Sequence, residues 1–146
     1  MASQEQEEVH DSPTRWVARH VRRYAETDGR SGHKWNGART LLLTTRGRRS
    51  GKLRRTALIY GRDGDRYLVV ASNGGARNHP FWYLNLSVQP EVQVQVEAER
   101  FTARARTAGP DERPRLWRLM AEIWPEYERY QQRTAREIPV VVLERA

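Results

Sequence analysis

A basic turn between two strand-like runs constrains the fold of this chain more than any other feature. The runs cover residues 40–45 and 54–60, and the turn from Gly47 to Lys52 reads GRRSGK. Strands joined by so short a turn pair antiparallel, so the sequence predicts a hairpin here. Glycines near both ends of the turn allow its backbone N–H groups to face outward, as in anion-binding turns.

The positive charge of the chain is concentrated at this hairpin. Nine Lys/Arg and two Asp lie between Arg39 and Arg66, a local charge of +7, whereas the whole chain carries +8. Arginine binds phosphate and carboxylate through a rigid pair of donors. The hairpin is therefore predicted to bind an anionic partner.

Length and composition exclude several classes of protein. A chain of 146 residues is expected to form one domain with its own core. Without cysteine there are no disulfides, no thiolate catalysis and no Cys-ligated zinc or iron–sulfur site. No apolar run reaches the roughly 20 residues of a membrane span, and the acidic first residues do not resemble a signal peptide. We therefore expect a cytoplasmic protein.

The N-terminal region is predicted to contain a flexible tail and a helix. Residues 1–12 are expected to be the tail, and residues 13–146 the single domain. A helix over 13–27 is indicated by Ser12 as N-cap and Pro13 at the first helical position. Four arginines flank its apolar stripe. Such a helix either packs on its own domain or rests on an anionic membrane surface, and both alternatives stay open. With the second alternative the protein would lie peripherally on the inner face of the cell membrane.

The rest of the pattern predicts an α+β fold. Six strands are expected, near residues 40–45, 54–60, 66–71, 92–97, 100–106 and 140–143. Further helices are expected over 80–87, 111–123 and 125–136. Because the links are of the antiparallel type, we predict a small antiparallel barrel or a strongly curled sheet, and not a Rossmann fold.

Familiar catalytic motifs are absent. The GRRSGK turn has one residue too few between its glycines for a P-loop, and Leu53 stands where Ser or Thr is required. The four histidines have no metal-ligand spacing, so no metal site is predicted. If this chain is an enzyme, a bound organic cofactor must supply the chemistry.

Four segments in register resemble one enzyme family. These are LLLTTRGRRSGKLRRTALIY, VVASNGGARNHPFWYLNL, VQVQV and IWPEYERYQQRTAREIPVVVLE, between Leu41 and Glu144. They are similar to the deazaflavin (F420)-dependent nitroreductase and quinone reductase family. The resemblance implies a split β-barrel and an oxidoreductase that uses coenzyme F420, an 8-hydroxy-5-deazaflavin.

The resemblance also implies which residues bind the cofactor. The phosphate and acidic tail are expected at the basic turn, and the deazaflavin ring at the segment after the third predicted strand and at the helix that follows. The implied cofactor-binding residues are Arg48, Arg49, Ser50, Arg54, Val70, Ala71, Ser72, Asn73, Phe81, Trp82 and Asn85. Many relatives carry Lys where Asn73 stands.

The acceptor is expected on the other side of the ring. The resemblance places Ile59, Trp124, Tyr127 and Tyr130 at the substrate side of the cofactor. Ile59 replaces a tyrosine that is common there, which makes the pocket more apolar. No protein residue is expected to be catalytic, because the cofactor carries the hydride.

Three functions are compatible with the sequence. The first is hydride transfer from F420H2 to a menaquinone-type quinone, with incidental nitroreductase activity on nitroaromatic compounds. The second is an FMN- or haem-binding protein of the same barrel type, since FMN also carries a phosphate. The third is a non-enzymatic module that binds nucleic acid through the basic hairpin, which the lack of interleaved aromatic residues disfavours. The oligomeric state is not predicted.

Overall fold

A computed structural model describes residues 8–11 and 15–146. This part of the chain forms an α+β fold with nine strands and four α-helices. The strands are β1 (Val9–Asp11), β2 (Lys34–Trp35), β3 (Ala38–Arg46), β4 (Leu53–Ile59), β5 (Gly61–Asp63), β6 (Arg66–Val70), β7 (Glu91–Val96), β8 (Glu99–Thr107) and β9 (Val140–Arg145). The helices are α1 (Arg15–Glu26), α2 (Phe81–Val88), α3 (Arg113–Ile123) and α4 (Glu126–Gln132), and a single 3₁₀ turn covers Asn73–Gly75.

The described strands form one mixed sheet. Its hydrogen-bonded order is β1-β4-β3-β7-β8-β9-β6-β5, and β2 pairs separately with β3. The ladder does not close on itself, but β4 contacts β6 near the other end of the order, so the sheet curls strongly. The α+β class is confirmed. The predicted count of about six strands was too low, because β1, β2 and β5 are too short to show a two-residue period.

The N-terminal residues correct one expectation. Val9–Asp11 forms a strand parallel to β4 where we expected a flexible tail, so the sheet is not purely antiparallel. The Arg55 side chain fixes this strand, because its Nε donates a hydrogen bond to Asp11 Oδ1 at 2.8 Å. Ser12 and Pro13, the predicted start of the first helix, lie outside the described residues.

Alternating side chains of the sheet bury two apolar clusters. On β6, Tyr67 and Val69 point into the curled sheet, whereas Leu68 and Val70 point outward beneath α3 and α4. β9 alternates in the same way. Period-two burial on both faces explains why these strands are continuously apolar and why the helices cover the outer face.

Helix α1 packs on the sheet through one face. Val21 and Tyr24 are fully buried against Leu42. The Tyr24 hydroxyl donates to the Thr40 carbonyl oxygen at 3.0 Å, and burial raises the pKa of Tyr24 to about 12. The opposite face is exposed and carries Arg15, Arg19, Arg22 and Arg23. No helix in the described part of the chain is long and apolar enough to cross a membrane.

Helix α4 ends earlier than the sequence predicted. The pattern indicated a helix to residue 136, but α4 stops at Gln132. The Gln131 side chain stabilises the turn toward β9, since its Nε2 donates to the Arg136 carbonyl oxygen at 2.8 Å and its Oε1 accepts from Ile138 N at 2.9 Å. The chain after α4 therefore folds back along the end of β6.

Candidate functional site

A pocket of about 220 Å³ lies between α1, the β3–β4 pair, the segment after β6 and α4. Its lining is mostly apolar. Six of the predicted site residues line it, namely Ile59, Val70, Ser72, Trp124, Tyr127 and Tyr130. The structure thus brings the four predicted acceptor residues together with two of the predicted ring-contacting residues.

Three tryptophans form one side of this pocket. Trp16 of α1 stacks on Trp35 of β2, with ring centroids 6.4 Å apart and planes at 19°. Trp35 stacks in turn on Trp124, which follows α3, at 5.4 Å and 29°. The Trp16 side chain is 61% exposed, so the row of rings runs from solvent into the pocket. Stacked indoles present a flat apolar wall, which suits a planar ligand.

Two tyrosines of α4 face the same pocket. The rings of Tyr127 and Tyr130 meet edge to face, with centroids 6.1 Å apart. Tyr127 is buried and also packs against Trp117 in the core, whereas Tyr130 is half-buried. Burial raises the pKa of Tyr127, so its hydroxyl stays protonated at neutral pH. Tyr127 therefore belongs to the core as well as to the pocket wall, whereas Tyr130 is only packed against that core.

The basic turn is held by its own backbone. Gly47 N donates to the Lys52 carbonyl oxygen at 2.7 Å, and Gly51 N donates to the Gly47 carbonyl oxygen at 2.9 Å. Gly51 has φ 73°, a conformation that favours glycine. Ser50 Oγ accepts a hydrogen bond from Lys52 N at 3.2 Å. With the turn fixed in this way, the side chain of Arg49 remains exposed at its tip.

Asn85 joins the basic turn to α2. Its Oδ1 accepts from Arg48 N at 3.1 Å, and its Nδ2 donates to Thr45 Oγ1 at 3.2 Å. Asn85 is buried, so in this structure its amide positions the turn. The Arg48 guanidinium lies 6.0 Å from the centroid of the Phe81 ring, which is 77% exposed. A cation and an open aromatic face therefore lie side by side at the start of α2.

The remaining predicted cofactor residues lie around these two features. Arg54 is exposed on β4, and Trp82 is half-buried against the inner core of the sheet. Ala71 is buried, with its N–H donating to the Pro139 carbonyl oxygen at 2.9 Å. Asn73 is exposed and its Nδ2 donates to the Asn78 carbonyl oxygen at 3.0 Å.

The basic turn and the pocket lie at opposite ends of β4. The strand runs from Leu53, next to the turn, to Ile59 in the pocket. At roughly 3.3 Å per residue the separation is about 20 Å. An elongated ligand with a flat end and an anionic end fits this arrangement of residue types.

Several pocket residues were not predicted. Trp16, Val17 and His20 come from α1, Trp35 from β2, Thr40, Ala57 and Leu58 from the β3–β4 pair, and Gly74 from the 3₁₀ turn. The helical stripe of α1 marked Trp16, Val17 and His20 as one face, but no sequence signal connects that face to Trp124. Trp35 lies in a stretch with glycines at 29, 32 and 37, where no strand or helix period marks it.

The chain matches one family model over nearly its whole described length. Residues 16–145 match the F420H(2)-dependent quinone reductase model. The chain belongs to this family. Members of it are oxidoreductases whose cofactor is coenzyme F420.

Individual relatives agree with the family model. The F420H(2)-dependent quinone reductase Rv1261c of Mycobacterium tuberculosis (strain ATCC 25618 / H37Rv) is 43% identical over 145 residues, which cover 90% of this chain and 97% of the relative. A solved F420-H2 dependent reductase, FDR-A, superposes with a TM-score of 0.67 at 39% identity, covering 72% of this chain and 93% of that one. Another solved chain, described as a domain-swapped dimer, has a TM-score of 0.70 at 37% identity and covers 91% of this chain and all of that one.

The residues present fit the family cofactor. Arg48, Arg49 and Arg54 form no ion pair within residues 8–11 and 15–146, so their charge is available to a phosphate and an acidic tail. The exposed ring of Phe81 and the open space beside Gly74, where an added Cβ would meet no atom within 4 Å, leave room for a planar ring system. Neither the basic turn at residues 47–52 nor the segment at residues 71–76 contains a carboxylate that would repel the phosphate.

Proposed function

We propose that this protein transfers a hydride from F420H2 to a menaquinone-type quinone bound in the tryptophan-lined pocket. The observation that carries the proposal is a flat, apolar pocket with two tyrosines, adjacent to the segment that the family resemblance assigns to the cofactor ring. A quinone head group is planar and mostly apolar, and its carbonyl oxygens accept hydrogen bonds. The pocket offers surfaces of both kinds.

The basic turn is proposed to anchor the cofactor. Arg48, Arg49 and Arg54 would bind the phosphate and acidic tail, and Ser50 would support the turn through its contact with Lys52 N. Phe81 and the segment at Val70–Asn73 would bind the ring, with Trp82 behind it and Asn85 holding Arg48 in place. When bound, reduced F420 supplies the hydride from C5 of the deazaflavin ring.

The pocket residues are proposed to orient the acceptor. Ile59 and Trp124 exclude water from its faces, and Trp35 extends the flat wall. As hydride arrives at the quinone, negative charge develops on a quinone oxygen, and a hydroxyl donor aimed at that oxygen stabilises it. Tyr130 is suited to donate this hydrogen bond because its ring is half-buried at the pocket wall. The proton that completes the quinol comes from solvent.

A membrane contact through α1 is part of the proposal, since menaquinones reside in the lipid bilayer. The exposed arginines of α1 form one cationic face, and the exposed Trp16 lies at the end of the tryptophan row. A basic face with an interfacial Trp suits an anionic leaflet, where each well-placed Arg contributes about 1 kcal/mol. A quinone head group would then enter the pocket beside Trp16.

The deciding experiment compares acceptors and cofactors on the purified protein. Oxidation of F420H2 is followed optically with a soluble menaquinone analogue and, separately, with a nitroimidazole. We expect saturable turnover with the quinone and slower incidental turnover with the nitro compound. Turnover with the nitroimidazole alone would contradict the quinone assignment.

Parallel fluorescence titrations with F420, FMN and an oligonucleotide test the alternative functions. The basic turn alone accepts any phosphate-bearing ligand, so the comparison must use all three. We expect F420 to bind most tightly. Tighter binding of FMN or of the oligonucleotide would favour one of the other two functions.

A further inference from the structure

The segment from Ala71 to Ala76 accepts three backbone hydrogen bonds from one side chain outside it, that of Arg136. Its Nη2 donates to the Ser72 carbonyl oxygen at 2.6 Å, its Nη1 to the Ala71 carbonyl oxygen at 3.2 Å and its Nε to the Ala76 carbonyl oxygen at 2.9 Å. These are the carbonyls at the two ends of the 3₁₀ turn. One guanidinium therefore fixes both ends of the segment.

Arg136 also reaches α2 through His79. Its Nη1 lies 3.1 Å from His79 Nδ1, and the His79 ring stacks on Tyr83 of α2 at 4.8 Å and 21°. Because an arginine side chain is always a donor, the His79 Nδ1 facing it must be the acceptor. Burial and the Arg136 charge lower the pKa of His79, in agreement with a neutral ring.

Two further contacts join the same segment to α4. Gly75 has φ 78°, and a Cβ at this position would lie 2.5 Å from the Tyr130 carbonyl oxygen and 2.9 Å from Tyr130 Cα. The segment and α4 thus meet backbone to backbone, at a distance that only glycine permits. Arg133 Nη1 donates to the Gly74 carbonyl oxygen at 3.4 Å.

The segment and α4 supply two walls of the pocket. Val70, Ser72 and Gly74 line it on one side, and Tyr127 and Tyr130 line it on the other. Residues 132–136 connect α4 to Arg136, whose guanidinium donates hydrogen bonds to the segment. The spacing of the two walls is therefore set by contacts that lie outside the pocket.

We propose that Arg136 is a positioning residue that fixes the distance between the cofactor-binding segment and the acceptor-binding helix. The proposal rests on the proposed function only in assigning the segment to the cofactor and α4 to the acceptor. Arginine is required because its planar fork carries five donors and reaches several carbonyls at once, whereas lysine reaches fewer with a single ammonium group. Arg136 forms no ion pair with a carboxylate within the described residues, so its charge is directed at these carbonyls.

The first test is hydrogen exchange on the protein without cofactor. In Arg136→Met, which keeps an apolar stem, we expect faster amide exchange at residues 71–76 and unchanged exchange in β7 and β8. Arg129→Ala is the matched control, since Arg129 is an exposed arginine of α4 that pairs with Glu126 and does not touch the segment. Unchanged exchange at residues 71–76 in a folded Arg136→Met protein would overturn the proposal.

The second test separates binding from turnover. We expect Arg136→Met to bind F420 at least tenfold more weakly and to lower kcat by about tenfold to a hundredfold, because a displacement of about 1 Å in a reacting pair has effects of that size. Arg136→Lys should recover only part of both losses. Added guanidinium, well below denaturing concentrations, should restore F420 binding in Arg136→Ala.

The outcomes remain decisive if one variant fails to fold. Arg136→Lys keeps the positive charge but offers a single ammonium group. If that variant showed wild-type F420 affinity and wild-type amide exchange at residues 71–76, the requirement for the several donors of a guanidinium would be overturned. Failure of the proposed function is distinguishable, because wild-type protein would then not reduce the quinone analogue. Hydrogen exchange and F420 titration would still decide whether Arg136 positions the segment.

Discussion

Arg49 is the residue of the basic turn best placed to contact a phosphate. It is exposed at the tip of a turn whose backbone is internally hydrogen-bonded, and it forms no ion pair within the described residues. Arg48, by comparison, is half-buried between Asn85 and the Phe81 ring. Truncating Arg49 should therefore remove a ligand contact without changing the fold.

We expect Arg49→Ala to weaken F420 affinity by tenfold or more. A charge-assisted hydrogen bond contributes about 1.5–3 kcal/mol before screening, and a factor of ten corresponds to about 1.4 kcal/mol. Added salt should reduce the difference in F420 affinity between the variant and wild type, because it screens the charge of Arg49. Arg104→Ala, which removes an exposed arginine of β8, is the control and should bind F420 normally. Equal affinities of Arg49→Ala and wild type would place the anchor elsewhere.

Tyr130 and Tyr127 should separate in their effects on stability. Tyr130→Phe keeps the ring of a half-buried residue, so turnover should fall by about tenfold or more while the melting temperature stays within experimental error. Tyr127→Ala should instead unfold at a markedly lower temperature, because the buried ring packs in the core and large-to-small core substitutions cost about 3–5 kcal/mol. Calorimetry and F420H2 oxidation measured on the same samples check both. Normal turnover in Tyr130→Phe would remove its hydroxyl from the mechanism.

At the scale of residues, the sequence predicted where charged side chains cluster better than it predicted which side chains contact each other in the fold. The clustering of arginines marked the basic turn without any alignment, because charge density is visible in sequence order. By contrast, the sequence did not predict that Trp35 stacks between Trp16 and Trp124, because these residues are brought together only by the tertiary fold. The role of Arg136 could not be predicted for the same reason, because its partners Ala71, Ser72 and Ala76 lie some 60 residues away along the chain.

At the scale of elements, α1 has two faces of different chemistry. The buried face is fixed by Val21 and by Tyr24, whose hydroxyl also accepts a hydrogen bond from Glu97 N at 2.6 Å. The exposed face keeps its arginines in solvent. Of the two alternatives left open by the sequence, packing on the domain is therefore observed, and it leaves the cationic face available to a second surface.

Reversing charge on this face should weaken binding to anionic vesicles. With two α1 arginines changed, in Arg19→Glu/Arg22→Glu, we expect at least a tenfold loss of binding to phosphatidylglycerol vesicles, since each Arg contributes about 1 kcal/mol. Phosphatidylcholine vesicles should bind neither protein. Turnover with a water-soluble quinone analogue should be unchanged, because the substituted side chains point away from the core. The control is Arg104→Glu/Arg118→Glu, which changes the net charge by the same amount at exposed arginines of β8 and α3. Equally weakened binding of the control would indicate net charge, not α1, as the cause.

Elements of regular period were predictable, and short ones were not. The strands β3, β4, β6, β7, β8 and β9 agree with the predicted runs to within a few residues. The three additional strands have two or three residues each, and their pairing depends on neighbours that the local sequence does not specify. Helix α4 was predicted too long because its helical composition continues past the point where Gln131 hydrogen-bonds the returning chain.

At the scale of the whole molecule, Glu112 ties the sheet to the helical layer. It lies at the start of α3 and accepts hydrogen bonds from Arg106 of β8, from Arg66 of β6 at 3.4 Å and from Gly109 N at 3.2 Å. The Arg106 guanidinium first, and the Gly109 N–H second, lower the pKa of Glu112 to about 2. Its carboxylate therefore joins two strands and a helix while it is ionised.

The free energy of unfolding should decrease as the pH is lowered, in two separate pH ranges. Burial lowers the pKa of His33 and of His79 below the ordinary value of 6.5, so the unfolded chain binds protons there first and stability declines as the pH falls below about 6.5. Glu112 has a lowered folded pKa, so its contribution is present above about 4.5 and is lost as the pH falls toward about 2. Urea unfolding at a series of pH values measures both ranges.

Glu112→Gln isolates the contribution of Glu112 to the lower range, to which Asp63, whose pKa is lowered by Arg115 and Arg66, also contributes. The variant should be less stable than wild type at pH 7. This difference in the free energy of unfolding should shrink between about pH 4.5 and about pH 2, where wild-type Glu112 is protonated and so becomes uncharged, like the Gln side chain. The decline below pH 6.5 should be unaffected, because it belongs to the histidines. Glu126→Gln, which removes an ion pair with Arg129 on the surface of α4, is the control and should follow the wild-type curve closely. A stability difference between Glu112→Gln and wild type that stays constant down to pH 2 would mean that the carboxylate contributes through packing, since a contribution from its charge must disappear when it is protonated.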